Sequence, residues 1–188
     1  RGSRGHRPVT PGRGDRSSHA TLRSGTRRDR REIDPTLSRF VLANPASYRE
    51  FLSVHLDALD VLAGYCGPLE RQEIAALVAC LCDDLDLKRA RDAEGPITLV
   101  GSDPAAQAGV AYVIRGSRLG APFLLDRVAS GLPKAYLTHL PALPWLRFIK
   151  SLPLLNPSPA TAALHAVPSA KAAFHVFATA AAISGMSP

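Results

Sequence analysis

The chain has 188 residues, 46% of them apolar, and a formal net charge of +7. That is enough apolar side chain to bury one full core, which excludes disorder throughout and fits a single domain. Residues 1 to 31 hold ten Lys and Arg against two acids (+8), and the remaining thirteen basic and fourteen acidic residues leave −1, so a basic groove is not indicated and nucleic acid is not an expected partner.

Cys66, Cys80 and Cys82 make an odd count without a CxxC pair, which supports neither a disulfide framework nor a zinc site. A reducing cytoplasm is the expected location. No apolar h-region opens the chain and no apolar run reaches ~18 residues, so neither a signal peptide nor a membrane span is expected.

The first stretch, RGSRGHRPVTPGRGDRSSHA, is Gly, Pro, Ser and Arg with almost no apolar residue and cannot offset its ordering entropy by burial. Residues 1–19 are therefore expected to form a disordered basic tail, and residues 20–188 the domain. Its embedded RGD at Arg13 to Asp15 is too short to carry weight. TLRSGTRRDRREID, residues 21–34, has helical spacing with Leu22, Thr26 and Ile33 near one side. Arg30 stands one turn after Thr26 on the same inward stripe, where a desolvated guanidinium costs several kcal/mol unless paired.

Asn44 followed by Pro45 predicts a cap and first helical position. Tyr48, Phe51, Leu52, His55, Leu56, Leu59 and Leu62 then recur at three and four until Gly64. Pro68 opens the next helix, with Ile74, Leu77, Val78, Leu81 and Leu85 on its apolar stripe. Residues 87–101 read as a loop. Asp103 and Pro104 repeat the cap signal and begin one long apolar helix that stops at Gly131 and Pro133, with a bend predicted at Pro122. A helix through Trp145, Phe148, Ile149 and Leu152 lies between Pro144 and Pro153. The last begins near Pro159 and carries Leu164, Val167, Ala170, Phe174 and Phe177 to Gly185, with Pro168 expected to kink or split it. No alternating strand pattern is present, and the fold class is an all-α globule of about six or seven helices.

YVIRGSRLGAP places Gly116 and Gly120 four apart on one helix face. Each costs about 1 kcal/mol relative to alanine, so two together call for close approach, either by another helix or by something flat. The phosphate-loop patterns are absent.

On these residues the chain resembles bacterial heme oxygenases, the biliverdin-producing type associated with bacteriophytochromes. The matching features, in order, are an LRxxTxxxH helix (Leu22, Arg23, Thr26 and then Arg30), a YREFL helix at Tyr48 to Leu52, and a GSxLGG signature (Gly116, Ser117, Arg118, Leu119, Gly120, Ala121). The tryptophan-bearing helix and the alanine-rich last helix with Phe174 and Phe177 agree with it, and the similarity spans about residues 20–184. The resemblance implies heme between a proximal first helix and a kinked distal helix, as substrate and cofactor both, opened to biliverdin, iron and carbon monoxide. Its pocket residues would be Arg23 and Thr26, Gly116, Ser117, Gly120 and Ala121, Arg147 or Lys150 at a propionate, and Phe174. A protein partner in tetrapyrrole or photoreceptor signalling is a further family-level expectation.

Two departures matter. Arg30 occupies the position of the family's iron-binding histidine, and a protonated guanidinium has no lone pair to give. Ala121 replaces a glycine. His19 reads as part of the tail, and His55 is the one weak alternative ligand; His139, His165 and His175 have no ligand-like spacing. The expectation is a homologue without ordinary heme turnover that binds a partner, heme or biliverdin; an active enzyme with an unusual ligand is the alternative. Asp83, Asp84 and Asp86 read as a solvated acidic cluster, and Cys80 and Cys82 as core fillers. No nucleophile-elbow motif occurs.

Overall fold

Capped prolines begin the helices where the sequence predicts them. The computed structural model describes residues 14–87 and 103–185, so residues 1–13 and 88–102, which hold most of the expected tail and most of the 87–101 loop, lie outside the described residues. Helix α3 (Pro45–Ala63) is capped by the Asn44 carboxamide, which accepts from the Ser47 N–H at 3.0 Å, and α5 (Pro104–Ser117) by Asp103, which accepts from the Ala105 N–H at 2.9 Å. Between them runs α4 (Pro68–Leu85). No strand occurs among the described residues, and the class is all-α.

The N-terminal segment differs from its reading as tail. A helix, α1, spans Gly14–Gly25, and a second, α2, spans Arg27–Ser38. Residues 14–19 are thus helical, because Ser18 and Leu22 are wholly buried and the Ser18 hydroxyl donates to the Asn156 carbonyl at 2.7 Å. The two helices part at Thr26, whose hydroxyl donates back to the Leu22 carbonyl at 2.7 Å, a local bond that competes with a regular helix.

Helix α5 is buried almost all round from Ala105 to Arg115, as expected of a central helix. Where the sequence predicts a bend, α5 passes into a 3-10 turn at Arg118–Gly120 and then α6 (Ala121–Leu125). Pro122 falls in the first turn of α6, where its missing N–H is harmless. A one-turn helix, α7 (Ala135–Thr138), and α8 (Trp145–Leu155) follow; α8 runs past Pro153 to its last turn.

The final helical stretch is not split at Pro168, which falls in the first turn of its last segment. It starts as α9 (Pro159–Thr161), capped by Ser158, widens into a π-helical turn over Ala162–Ala166, and continues as α10 (Val167–Ser184). The Val167 N–H reaches back five residues to the Ala162 carbonyl, while the Ser169 hydroxyl donates to the His165 carbonyl at 3.1 Å. Wide bonding and a side chain thus serve the carbonyls around a proline that cannot donate. Residues Pro159–Ser184 have a mean hydropathy of 1.3 over their most apolar window, long and apolar enough to cross a membrane. Here the stretch packs through Ala162, Ala166, Ala170, Ala173, Phe177 and Ala181 against α5, α3 and α2.

Among the described glycines, the closest approach is made outside the predicted pair. A Cβ on Gly109 would stand 2.1 Å from the Ala166 carbonyl oxygen, so the backbones of α5 and the π turn meet with no room for a methyl group.

Candidate functional site

None of the residues singled out by the heme oxygenase resemblance lines the cavity between α3, α5 and α10. Arg30 is exposed, and its guanidinium donates to the Tyr112 hydroxyl of α5 at 3.2 Å, so the charge on the inward stripe is met by a phenol and by water. Arg23, Arg147 and Lys150 are exposed, Phe174 is half-buried, and Ala121 is buried. Thr26 is wholly buried with its hydroxyl used on its own helix. Ser117 donates to the Ile114 carbonyl at 2.7 Å.

A flat group does lie on Gly116, and it belongs to the protein. A Cβ built there would touch the Trp145 ring at 3.7 Å, ordinary contact, whereas Gly120 faces open space. The Trp145 ring also sits 5.4 Å from Tyr112 and 5.9 Å from Phe148. His19 is on α1 rather than in a tail, with its ring 6.1 Å from both Tyr112 and Trp145. Arg30, which the resemblance would put in the place of an iron ligand, has no lone pair to give, and the Trp145 ring covers Gly116, so these residues do not fit a histidine-ligated heme. A cavity of about 210 Å³ lies between α3, α5 and α10, lined by Leu62, Val110, Ala173 and Val176 among others, away from these candidates and below the usual range for ligand pockets.

His55 does not face a ligand position. Its Nδ1 donates to the Phe51 carbonyl at 2.8 Å, and its ring is enclosed by Phe51, Tyr136 and Phe177. Burial pushes its pKa down to about 4 from 6.5, with Arg118 pushing the same way and the bond to Phe51 opposing. It is a neutral core histidine.

The most developed polar arrangement was not anticipated by the sequence reading. Glu70, Glu73, Cys80 and Asp84 fall on one stripe of α4 at helical spacing. They face Arg115 and Arg118 at the end of α5 and the strap of residues 134–143. Asp84, expected in solvent, is buried because its two carboxylate oxygens accept from the Ala135 and Tyr136 N–H groups at 2.9 and 2.8 Å. Glu73 accepts from the Ala142 N–H at 3.0 Å. Arg118 donates to the carbonyls of Tyr136, Leu137 and His139 at 2.7, 3.4 and 3.3 Å, its guanidinium 4.6 Å from the Tyr136 ring. Arg115 donates to the Leu143 carbonyl at 2.9 Å and meets Glu70 at 3.4 Å. Carboxylates thus hold the strap by its N–H groups and guanidiniums by its carbonyls.

Within this clamp His139 lies between two α4 side chains. Its Nε2 is 3.3 Å from Glu73 Oε1 and its Nδ1 is 3.9 Å from Cys80 Sγ. Cys82 is buried in the core, and Cys80 is half-buried and packs against it. Burial raises its thiol pKa, as do Asp84 and Asp83, with Arg118 opposing. The signal in the sequence was the spacing of carboxylates beside an apolar stripe, but their partner His139 is 59 residues from Cys80. No group of three or more His, Cys, Asp or Glu suited to a metal ion occurs among the described residues.

No family model, curated protein or solved structure matches the chain.

Proposed function

We propose that this protein is a heme oxygenase-like scaffold without ordinary heme degradation, which acts by binding a protein partner or a tetrapyrrole. The observation that carries the reading is Arg30: at the place where the resemblance requires an imidazole, a guanidinium with no lone pair donates to Tyr112. The Trp145 ring over Gly116 supports it from the opposite side. Titration of the purified protein with hemin is expected to give no sharp histidine-ligated Soret band, and reduction in air no verdoheme or biliverdin. Formation of both overturns the reading.

The alternative, an active enzyme with an unusual ligand, draws support from His19, which stands on α1 facing Tyr112 and Trp145. It requires that a Soret band form in the native protein and disappear in His19→Ala. His55→Ala has no such effect under either reading, since that ring is enclosed by aromatic side chains.

A further inference from the structure

We propose that Cys80 is an acyl-accepting thiol, with His139 as its base and Glu73 as the carboxylate that positions the imidazole. The site is separate from the one the heme oxygenase resemblance points to and stands whether or not that reading does.

The argument starts from order along a line: Cys80 Sγ, His139 Nδ1 at 3.9 Å, His139 Nε2, Glu73 Oε1 at 3.3 Å. A nucleophile, a base and an orienting acid in that sequence make an activated nucleophile. The imidazole is held on both sides of the backbone, because Arg118 takes the His139 carbonyl and Glu73 takes the Ala142 N–H. Glu73 is 95% buried, with a side-chain exposure of 5%. Its Oε1 and His139 Nε2 are buried and neither makes a hydrogen bond, so the two stand 3.3 Å apart within ion-pair range but without aligned geometry. A buried carboxylate oxygen and imidazole nitrogen left without hydrogen bonds call for an explanation beyond packing. The outer end is open: Cys80 is half-buried, the His139 side chain is 20% exposed, and Leu140, next along the chain, is 84% exposed and offers apolar surface for an acyl chain.

The step is a thiol–thioester exchange. The Cys80 proton passes to His139 Nδ1 as sulfur bonds to the acyl carbonyl carbon. The tetrahedral oxyanion collapses, the carbon–sulfur bond to the leaving thiolate breaks, and that thiolate takes the proton from His139. No oxidant or reductant is needed. The neighbouring acids keep the resting sulfur protonated, so the base is required and simple exposure would not suffice.

The test uses the full chain and S-phenyl thioacetate, following thiophenol release and locating the acetyl group by peptide mass. Cys66 and Cys82, both buried, serve as internal controls. One equivalent is expected, on Cys80, faster in the folded protein than in concentrated urea; burial and nearby acids alone predict the reverse. His139→Gln slows acetylation on the order of 10²-fold. Glu73→Gln keeps an acceptor for the Ala142 N–H and slows the reaction only when His139 is present, since the two couple in a double-mutant cycle. A Cys80 rate below that of the unfolded chain, acetylation at Cys66 or Cys82 instead, or equal slowing by Glu73→Gln with and without His139 overturns the proposal. The comparison with urea needs no variant and decides the matter even if His139→Gln does not fold.

Discussion

Toward α10, helix α5 presents Gly109 and meets the Ala166 carbonyl across a contact with no side chain between; toward α4 it ends in Arg115 and Arg118, buried and spent on carbonyls and a carboxylate. The first contact depends on the absence of atoms and the second on polar side chains meeting backbone groups, with Arg115 Nε and Arg118 Nε left buried without a hydrogen bond. They should therefore fail differently: one by overpacking, the other by orphaned hydrogen-bonding groups.

Gly109→Val is the most severe test of the first. Its side chain must push the π turn off α5, and a loss of about 3 kcal/mol is expected in urea unfolding. Nearly as large is the pH response of His55, which ties α3 to both regions through Phe177 and Tyr136. Its folded pKa of about 4 lies below the unfolded 6.5, so the unfolded chain binds the proton first and stability falls as pH drops from about 6.5 toward 4. The loss reaches roughly 3 kcal/mol at about 1.4 kcal/mol per pH unit, and His55→Leu abolishes that part of the slope. Asp84→Ala orphans the Ala135 and Tyr136 N–H groups and costs about 2 kcal/mol, with faster amide exchange at those two positions. Smallest is Gly116→Ala: the new methyl finds ordinary contact with Trp145, and removing a helical glycine stabilises by up to about 1 kcal/mol. If Gly116→Ala destabilised as much as Gly109→Val, the contrast between the two glycines would be lost.

The sequence made the helices legible where chemistry is local. Asn44–Pro45, Asp103–Pro104 and the three-and-four spacing after them are short-range signals, and the structure follows them. The break at Thr26 and the π turn before Pro168 sit against distant parts of the chain, Val167 beside Gly25 in one case and Gly109 in the other. Residues 14–19 looked too polar for helix because what anchors them, the Asn156 carbonyl, is 138 positions away. The same reason hid the clamp. Asp84 among Asp83 and Asp86 reads as solvated acid until residues 135 and 136 arrive. Gly116 and Gly120 stand out through a family signature, whereas Gly109, with no motif around it, makes the tightest contact of the described glycines.

The widened turn at Ala162–Ala166 has a consequence for how the chain tolerates length changes. A π turn is in effect one residue inserted into an α-helix. Deleting one residue there would let an ordinary α-turn close in its place, and because the wide turn already absorbs the extra residue, Ala170, Ala173, Phe177 and Ala181 would keep facing the core. The same deletion a few residues later, in regular helix, would swing everything beyond it by about 100°, so the chain can be shortened at the π turn and nowhere else in this stretch without turning its alanine face outward.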